Sequence, residues 1–352
     1  MATDLQVFRD TVNHRPPERL LFYASFTPDL QRRVIEHIGT EDIAGHYGFL
    51  NPVGLSLQPP QGHQPVDYSP YWQGRDLPDG TVFDAHGVAL APSGFYHFTE
   101  KISPLTDARS LADIEKYPLE DLSTWNEDHL AGQVAEAHAA GRVAVGWVGH
   151  IYETAWQIRG YQEFLIDMIQ RPEWAQCLLD RLAANNRAKV EAFARAGVDW
   201  LRCGDDVANQ QAMMFSPATW RRMLLPLWRD IWQMAKRLCP TVKIWYHSDG
   251  NILAIMEELA AAGVDIFNPL QPECLDIDAA YAKVGQQCSF DGLIGTQSTM
   301  PWGSAQDVSD RVAACVERYG QDGGLILSPT HVLEPEVPLE NIDAFAEACR
   351  SV

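Results

Sequence analysis

The 352-residue chain contains no apolar run near the ~20 residues that a helix needs to cross a bilayer. Its opening, Met-Ala-Thr-Asp-Leu-Gln-Val-Phe-Arg-Asp, is polar with helical spacing and does not read as a secretion signal. Basic residues are scarce. Lys and Arg number 27 against 47 Asp and Glu, a formal net charge of −20, so the chain lacks the basic face that nucleic acid or an anionic membrane would demand. Cysteines are few and unpaired in pattern: Cys177, Cys203, Cys239, Cys274, Cys288, Cys315 and Cys349 are odd in number, scattered, and include no Cys-x-x-Cys. They read as reduced thiols filling the interior of a cytoplasmic protein. Low-complexity tracts are absent. What remains is a globular chain long enough for one large barrel or two ordinary domains, with a small molecule as the expected partner.

Short apolar runs alternate with amphipathic helical stretches over most of the length. Strands are expected at 20–25, 143–148, 199–203, 242–246, 264–268, 287–291 and 324–327, with a weaker one near 54–58. Helices are expected at 3–14, 28–38, 111–116, 127–140, 152–170, 172–196, 217–238, 252–262, 276–284, 304–319 and 339–350. Ser216-Pro217 starts one of them with a capping serine and a proline at the first helical position. Eight strands joined by helical crossovers give an α/β fold, a single (β/α)8 TIM barrel spanning 1–352. Residues 48–104 break the rhythm with Pro, Gly, Asp and aromatics, and short runs at 81–83 and 87–91 look like hairpin strands. That stretch is read as a rim insertion or lid, and its aromatic segment 68–72 points to a homodimer contact.

The most informative stretch is Val242-Lys-Ile-Trp-Tyr-His-Ser-Asp-Gly-Asn251, a buried strand that turns polar at its C-terminal end. In parallel α/β proteins that end carries the active site. Chemically distinctive residues follow other strands in the same way: Glu153, Asp205, Asp206, Asn268, Gln271, Asp291, Gln297 and His331. His247 and Asp249, two residues apart on extended chain, face the same side. With His331 they offer two imidazoles and a carboxylate, a set suited to zinc or another divalent metal with one position open. The plainer alternative makes both histidines hydrogen-bonded rim residues and Asp249 a helix cap. Of the adjacent pair Asp205-Asp206, Asp206 is the one expected to face the mouth. Asp206, Glu153 and His331 are the candidate acids and bases, although Glu153 also suits a helix N-terminus. Arg202 and Arg159 are placed to receive a substrate carboxylate, while Asn268, Gln271 and Gln297 would orient substrate by hydrogen bonding. Cys274 reads as an ordinary thiol.

The series Gly204-Asp-Asp, Phe215-Ser-Pro, Tyr246-His-Ser-Asp-Gly-Asn, Asn268-Pro-Leu-Gln-Pro and Ser328-Pro-Thr-His, with Pro338-Leu-Glu-Asn-Ile342, resembles the uroporphyrinogen decarboxylase superfamily. The resemblance covers residues 140–350 and, more loosely, Leu21 to Pro28. It implies a (β/α)8 barrel and two branches of activity. One branch strips acetate side chains from a tetrapyrrole without a cofactor, using an aspartate and N-terminal arginines; this chain has Phe22-Tyr-Ala-Ser25 where that branch bears arginine. The other branch comprises cobamide-dependent methyltransferases that hold zinc through His-x-Cys and a later Cys to activate a thiol. The matching positions here are His247, Asp249 and His331, a harder donor set. The resemblance therefore implies metal-assisted methyl transfer or related Lewis-acid chemistry, with a corrinoid protein or a thiol as co-substrate. The alternatives are a cofactor-free decarboxylase, in which His331 and Asp206 handle protons and Arg202 anchors a carboxylate, and a non-catalytic protein that binds a ligand or a corrinoid.

Overall fold

The computed structural model describes residues 2–93 and 98–352. Eight parallel strands form the central sheet: β1 (Leu21–Phe22), β2 (Val53–Leu55), β3 (Ala144–Gly149), β4 (Trp200–Gly204), β5 (Lys243–His247), β6 (Ile266–Leu270), β7 (Ser289–Ile294) and β8 (Leu325–Pro329). Neighbours run in sequence order from β2 to β8, and β8 then pairs with β1. The remaining seam closes where the Leu50 N–H donates to the Phe22 carbonyl at 2.8 Å, just ahead of β2. Parallel pairing requires a crossover between strands, and the helices supply it on the outside, which makes this a TIM barrel.

Strand periodicity divides the interior in two. Outward residues such as Tyr246 pack under the helix Leu225–Leu238, where buried Trp228 and Trp232 stack at 5.5 Å. Inward residues Leu21, Val143, Val145, Trp200, Trp245, Ile266 and Ile326 form a separate core within the lumen. The N-terminal helix Asp4–Thr11, capped by Thr3, seals the lower end of that core. Its Phe8 ring stacks on Trp200 with centroids 5.3 Å apart. Below the mouth the barrel is therefore solid.

Several elements differ from the sequence expectation. The stretch 152–170 is two helices, Tyr152–Arg159 and Tyr161–Gln170, broken at Gly160, whose φ of +99° an L side chain rarely adopts. The stretch 217–238 breaks between Met223 and Leu225, because Pro226 lacks the N–H that would continue the ladder. The seventh strand begins at Ser289 and ends at Ile294, so Asp291 is a mid-strand residue rather than a strand-end one. The second strand lies within 48–104, and the decoration proper follows it as a three-stranded antiparallel sheet, Val82–Phe83, Ala89–Pro92 and Thr99–Ile102. Residues 94–97 of that segment lie outside the described residues. The aromatics of 68–72 are used within the chain. Tyr68 and Tyr71 pack on Tyr117, and Trp72 is buried, donating to the Gly87 carbonyl. The composition of that segment thus has an intramolecular explanation. No helix among the described residues is long and apolar enough to cross a membrane.

Candidate active site

A cavity of about 310 Å3 opens at the C-terminal ends of the strands, with Arg202, Asp206, His247, Asp249, Asn268 and His331 in its wall. On β5 the alternation that sends Trp245 into the lumen also sends His247 there, one step closer to the mouth. The His247 ring stacks over Trp245 at 5.6 Å and 20°. Its Nδ1 lies 2.8 Å from Asn268 Oδ1. An amide oxygen accepts only, so Nδ1 donates to it and Nε2 is the ring nitrogen turned to the cavity. Facing Nε2 are Asp206 Oδ1 at 3.6 Å and Asp249 Oδ1 at 3.9 Å. Asp206 Oδ1 also accepts the Asp249 backbone N–H at 2.8 Å, which ties the two strand ends together.

Asp206, His247 and Asp249 each offer one ligand atom, all within 4.8 Å of one another. Whether this trio suits a cation can be judged from Asp249. Its Oδ1 is buried and has no hydrogen-bond partner. Burial pushes its carboxyl above the usual range; His247 and His331 oppose the shift, and the Asp206 and Glu153 charges add to it. A desolvated carboxylate oxygen with no hydrogen bond, set beside a second carboxylate and a ring nitrogen, is a position that a cation would stabilise. Tetrahedral ligands at ~2.0–2.1 Å from an ion stand about 3.3 Å apart, so the two spacings to His247 Nε2, 3.6 and 3.9 Å, need only slight contraction. The residues fit a divalent ion, and the nitrogen and carboxylate donors suit zinc or a harder metal.

A second titrating pair lies on the adjoining wall. His150, just past β3, shares its Nδ1–H between the Gly204 carbonyl at 2.8 Å and Glu153 Oε2 at 2.8 Å. Burial alone would lower the imidazole pKa. The Glu153 hydrogen bond and charge outweigh it, helped by Asp205 and Asp206, and raise it to about 9. Glu153 is depressed in turn, because the His150 contact overcomes its own burial. A histidine whose folded pKa exceeds its unfolded value contributes stability that is complete below pH ~6.5. That contribution fades as pH rises through about 9. The loss of urea midpoint caused by Glu153→Gln should therefore be full at pH 6 and shrink steadily between pH ~6.5 and ~9. A loss independent of pH across that window would contradict the ion pair.

Asp205 points the other way. Fully buried, it accepts the Ile151 and Glu153 N–H groups at 2.8 and 3.1 Å and the Trp228 indole N–H at 2.7 Å; burial lifts its pKa to about 7. The remaining expected site residues separate clearly. His331 lines the cavity but is exposed and stands outside the three-residue donor cluster; its ring Nδ1 is 3.4 Å from the Val332 carbonyl. Arg159 does not line the cavity: its buried guanidinium is committed to Asp167 Oδ2 and to the carbonyls of Leu105 and Thr106, so it cannot receive a substrate carboxylate. Gln271 is buried, and its Oε1 accepts the Gly250 N–H at 2.7 Å, shaping the turn after Asp249. Gln297 is exposed, held by Gln210, and meets Gln271, Asp249 and His331 in an adjoining chamber. Cys274 is buried, and burial raises its thiol pKa, the opposite of activation. Asp291 sits under the floor, accepting from Tyr23, Trp245 and Ser328.

Sequence reasoning passed over Tyr23, Trp147, His150 and Trp245, all of which line the cavity. The period of two was a usable signal for three of them. Counting inward from Leu21, Val143 and Val145 predicts Tyr23 and Trp147, and counting back from His247 predicts Trp245.

The geometry thus defines a parallel-barrel protein with a cation-suited cluster at its C-terminal mouth. A solved methyltransferase from Methanosarcina mazei shares the fold, with a TM-score of 0.67 at 15% identity over 100% of this chain and 99% of that one. The family described as Uroporphyrinogen decarboxylase (URO-D) matches residues 83–352, and the chain belongs to it. Two relatives named uroporphyrinogen decarboxylase are similar at 25% and 23% identity over 286 and 289 residues. They come from Alkalilimnicola ehrlichii and Hydrogenovibrio crunogenus. Each alignment covers 76% of this chain, with 73% and 75% of the respective relatives.

Proposed function

We propose that this family member is a metal-assisted group-transfer enzyme that moves a methyl group between a small-molecule substrate and a second reactant. A divalent cation, zinc foremost, would be held by Asp206, His247 and Asp249, with His331 facing the same space. The observation that carries this reading is the unpartnered, buried Asp249 Oδ1 inside the cluster. When bound, the ion supplies Lewis-acid polarisation of a substrate oxygen or sulfur. The chain's own residues do the rest. Asn268 holds the His247 tautomer, and Asp206 holds the Asp249 backbone in place. Glu153 and His150 keep a charged pair at the wall, where Glu153 can take a proton and His150 can return one. A corrinoid protein or a thiol is the co-substrate, a choice supported by the strand-end motifs and by the methyltransferase that shares the fold. A cytoplasmic setting is supported by the seven cysteines, all of them free.

Elemental analysis tests the metal directly. About one divalent ion per chain is expected after purification without chelator, and content below ~0.2 per chain even after zinc is supplied would overturn it. The second reading, cofactor-free decarboxylation with His331 and Asp206 handling protons, is favoured by the names of the two relatives. It requires carbon dioxide release that survives complete metal removal.

A further inference from the structure

The cavity has a cationic side that the donor cluster does not use. Arg202 projects inward from β4, its guanidinium carbon 4.0 Å from the Trp245 ring centroid, 5.2 Å from Trp200 and 5.5 Å from Trp147. Three indoles thus surround one cation, and its Nε is buried without a hydrogen-bond partner. Among the described residues the one carboxylate that feels its charge is Asp291, buried beneath the floor. The acid below the floor, Asp291, already accepts from Tyr23, Trp245 and Ser328. Indole faces stabilise a guanidinium by cation–π attraction, but they do not satisfy its N–H donors. A partly desolvated guanidinium of this kind demands an anion with two parallel acceptors, which is the shape of a carboxylate.

The neighbouring wall adds a shape requirement. Trp147, on the inward face of β3, keeps 51% of its surface exposed and lines the cavity, although it also approaches Trp245 and His150. A half-exposed indole at a cavity wall is a stacking surface for a flat apolar ring. At about 310 Å3 the cavity is at the lower end of the range for ligand sites, which suits one ring rather than a macrocycle. The opposite wall carries Asp206 and Asp249, so a second carboxylate there would meet like charge.

We propose that the substrate is a planar, single-ring carboxylic acid, its carboxylate on Arg202, its ring against Trp147 and its reacting end toward Asp206, His247 and Asp249. This deepens the group-transfer reading and rests on it for the reaction, but the binding itself needs no metal.

The experiment therefore uses the full chain both stripped on a chelating resin and reloaded with zinc. Benzoate, its neutral isostere benzamide, and the non-planar cyclohexanecarboxylate are titrated calorimetrically and by quenching of tryptophan fluorescence. Benzoate should bind at least about tenfold more tightly than either comparator in stripped protein. Arg202→Gln should bring benzoate and benzamide within about twofold of one another, while Trp147→Ala should erase the preference for benzoate over cyclohexanecarboxylate. If Arg202→Gln does not fold, Arg202→Lys serves: charge without the planar fork should weaken benzoate several-fold and keep the acid ahead of the amide. Equal binding of benzoate and benzamide, no binding of benzoate up to ~10 mM, or an acid preference unaltered by both Arg202 variants would overturn the proposal. Failure of the metal reading appears separately, as low zinc content in protein that still prefers benzoate.

Discussion

His247→Ala is expected to fold normally and to lose its metal. The imidazole is partly exposed at the mouth and, among the described residues, its hydrogen bond is with Asn268, so truncation leaves one amide oxygen that water can reach. The donor cluster, in contrast, drops from three residues to two carboxylates that repel each other without the nitrogen between them. Removing a direct ligand should cost more than removing a residue that orients one, which lowers affinity about 10–100-fold. Zinc affinity measured against a competing chelator should therefore fall by more than ~100-fold in His247→Ala and by ~10–100-fold in Asn268→Leu. Turnover should fall with it, and melting temperature in the absence of metal should hardly move. The ranking matters as much as the size. Zinc content equal to wild type in both variants would place any bound ion elsewhere and dissolve the role assigned to the mouth of β5.

Asp205→Ala carries the other large effect, and it acts on folding. Three donors converge on this carboxyl: two backbone N–H groups at the start of the helix Tyr152–Arg159 and the buried Trp228 indole. Without it each is stranded in a space that excludes water, at about 1–3 kcal/mol per group. The expected total is roughly 3–5 kcal/mol, a large part of the stability of an ordinary domain. Urea unfolding followed by fluorescence reads the loss directly. Asp205→Asn keeps the volume and one accepting oxygen, so its cost should be less than half that of the alanine. A loss below ~1 kcal/mol for Asp205→Ala would mean that the three donors find other acceptors. The same variant should also depress activity, since the helix it anchors carries Glu153.

These two neighbours show what the primary structure could and could not tell. Alternation along extended chain separates Asp205 from Asp206, and only the second lines the cavity. The alternation of strands and helices was equally visible, because each strand is short, apolar and bounded by turn residues. The break at Gly160 and the late start of β7 were not, since both depend on what packs against the chain rather than on its local pattern. Arg159 failed for the same reason. Its partner Asp167 is eight residues away across the Gly160 break, and an unbroken helix would have hidden the contact. His331 was grouped with His247 and Asp249 because each follows a strand end. In three dimensions the atoms that lie within 4.8 Å of one another belong to His247, Asp249 and Asp206, the last from another strand end. The missed aromatics were legible in principle, but bulky apolar residues on an inner face look like packing until the lumen's open end is located.

The helix stopper beneath the barrel has a kinetic corollary. With Phe8 stacked on Trp200 and the lumen filled below Trp245, the described residues close the lower end. Whatever enters the mouth must leave by the same opening, so a spent molecule obstructs its successor until it departs. Product should accordingly compete with substrate for free enzyme, and turnover should slow as viscosity rises wherever departure, rather than bond making, is the bottleneck.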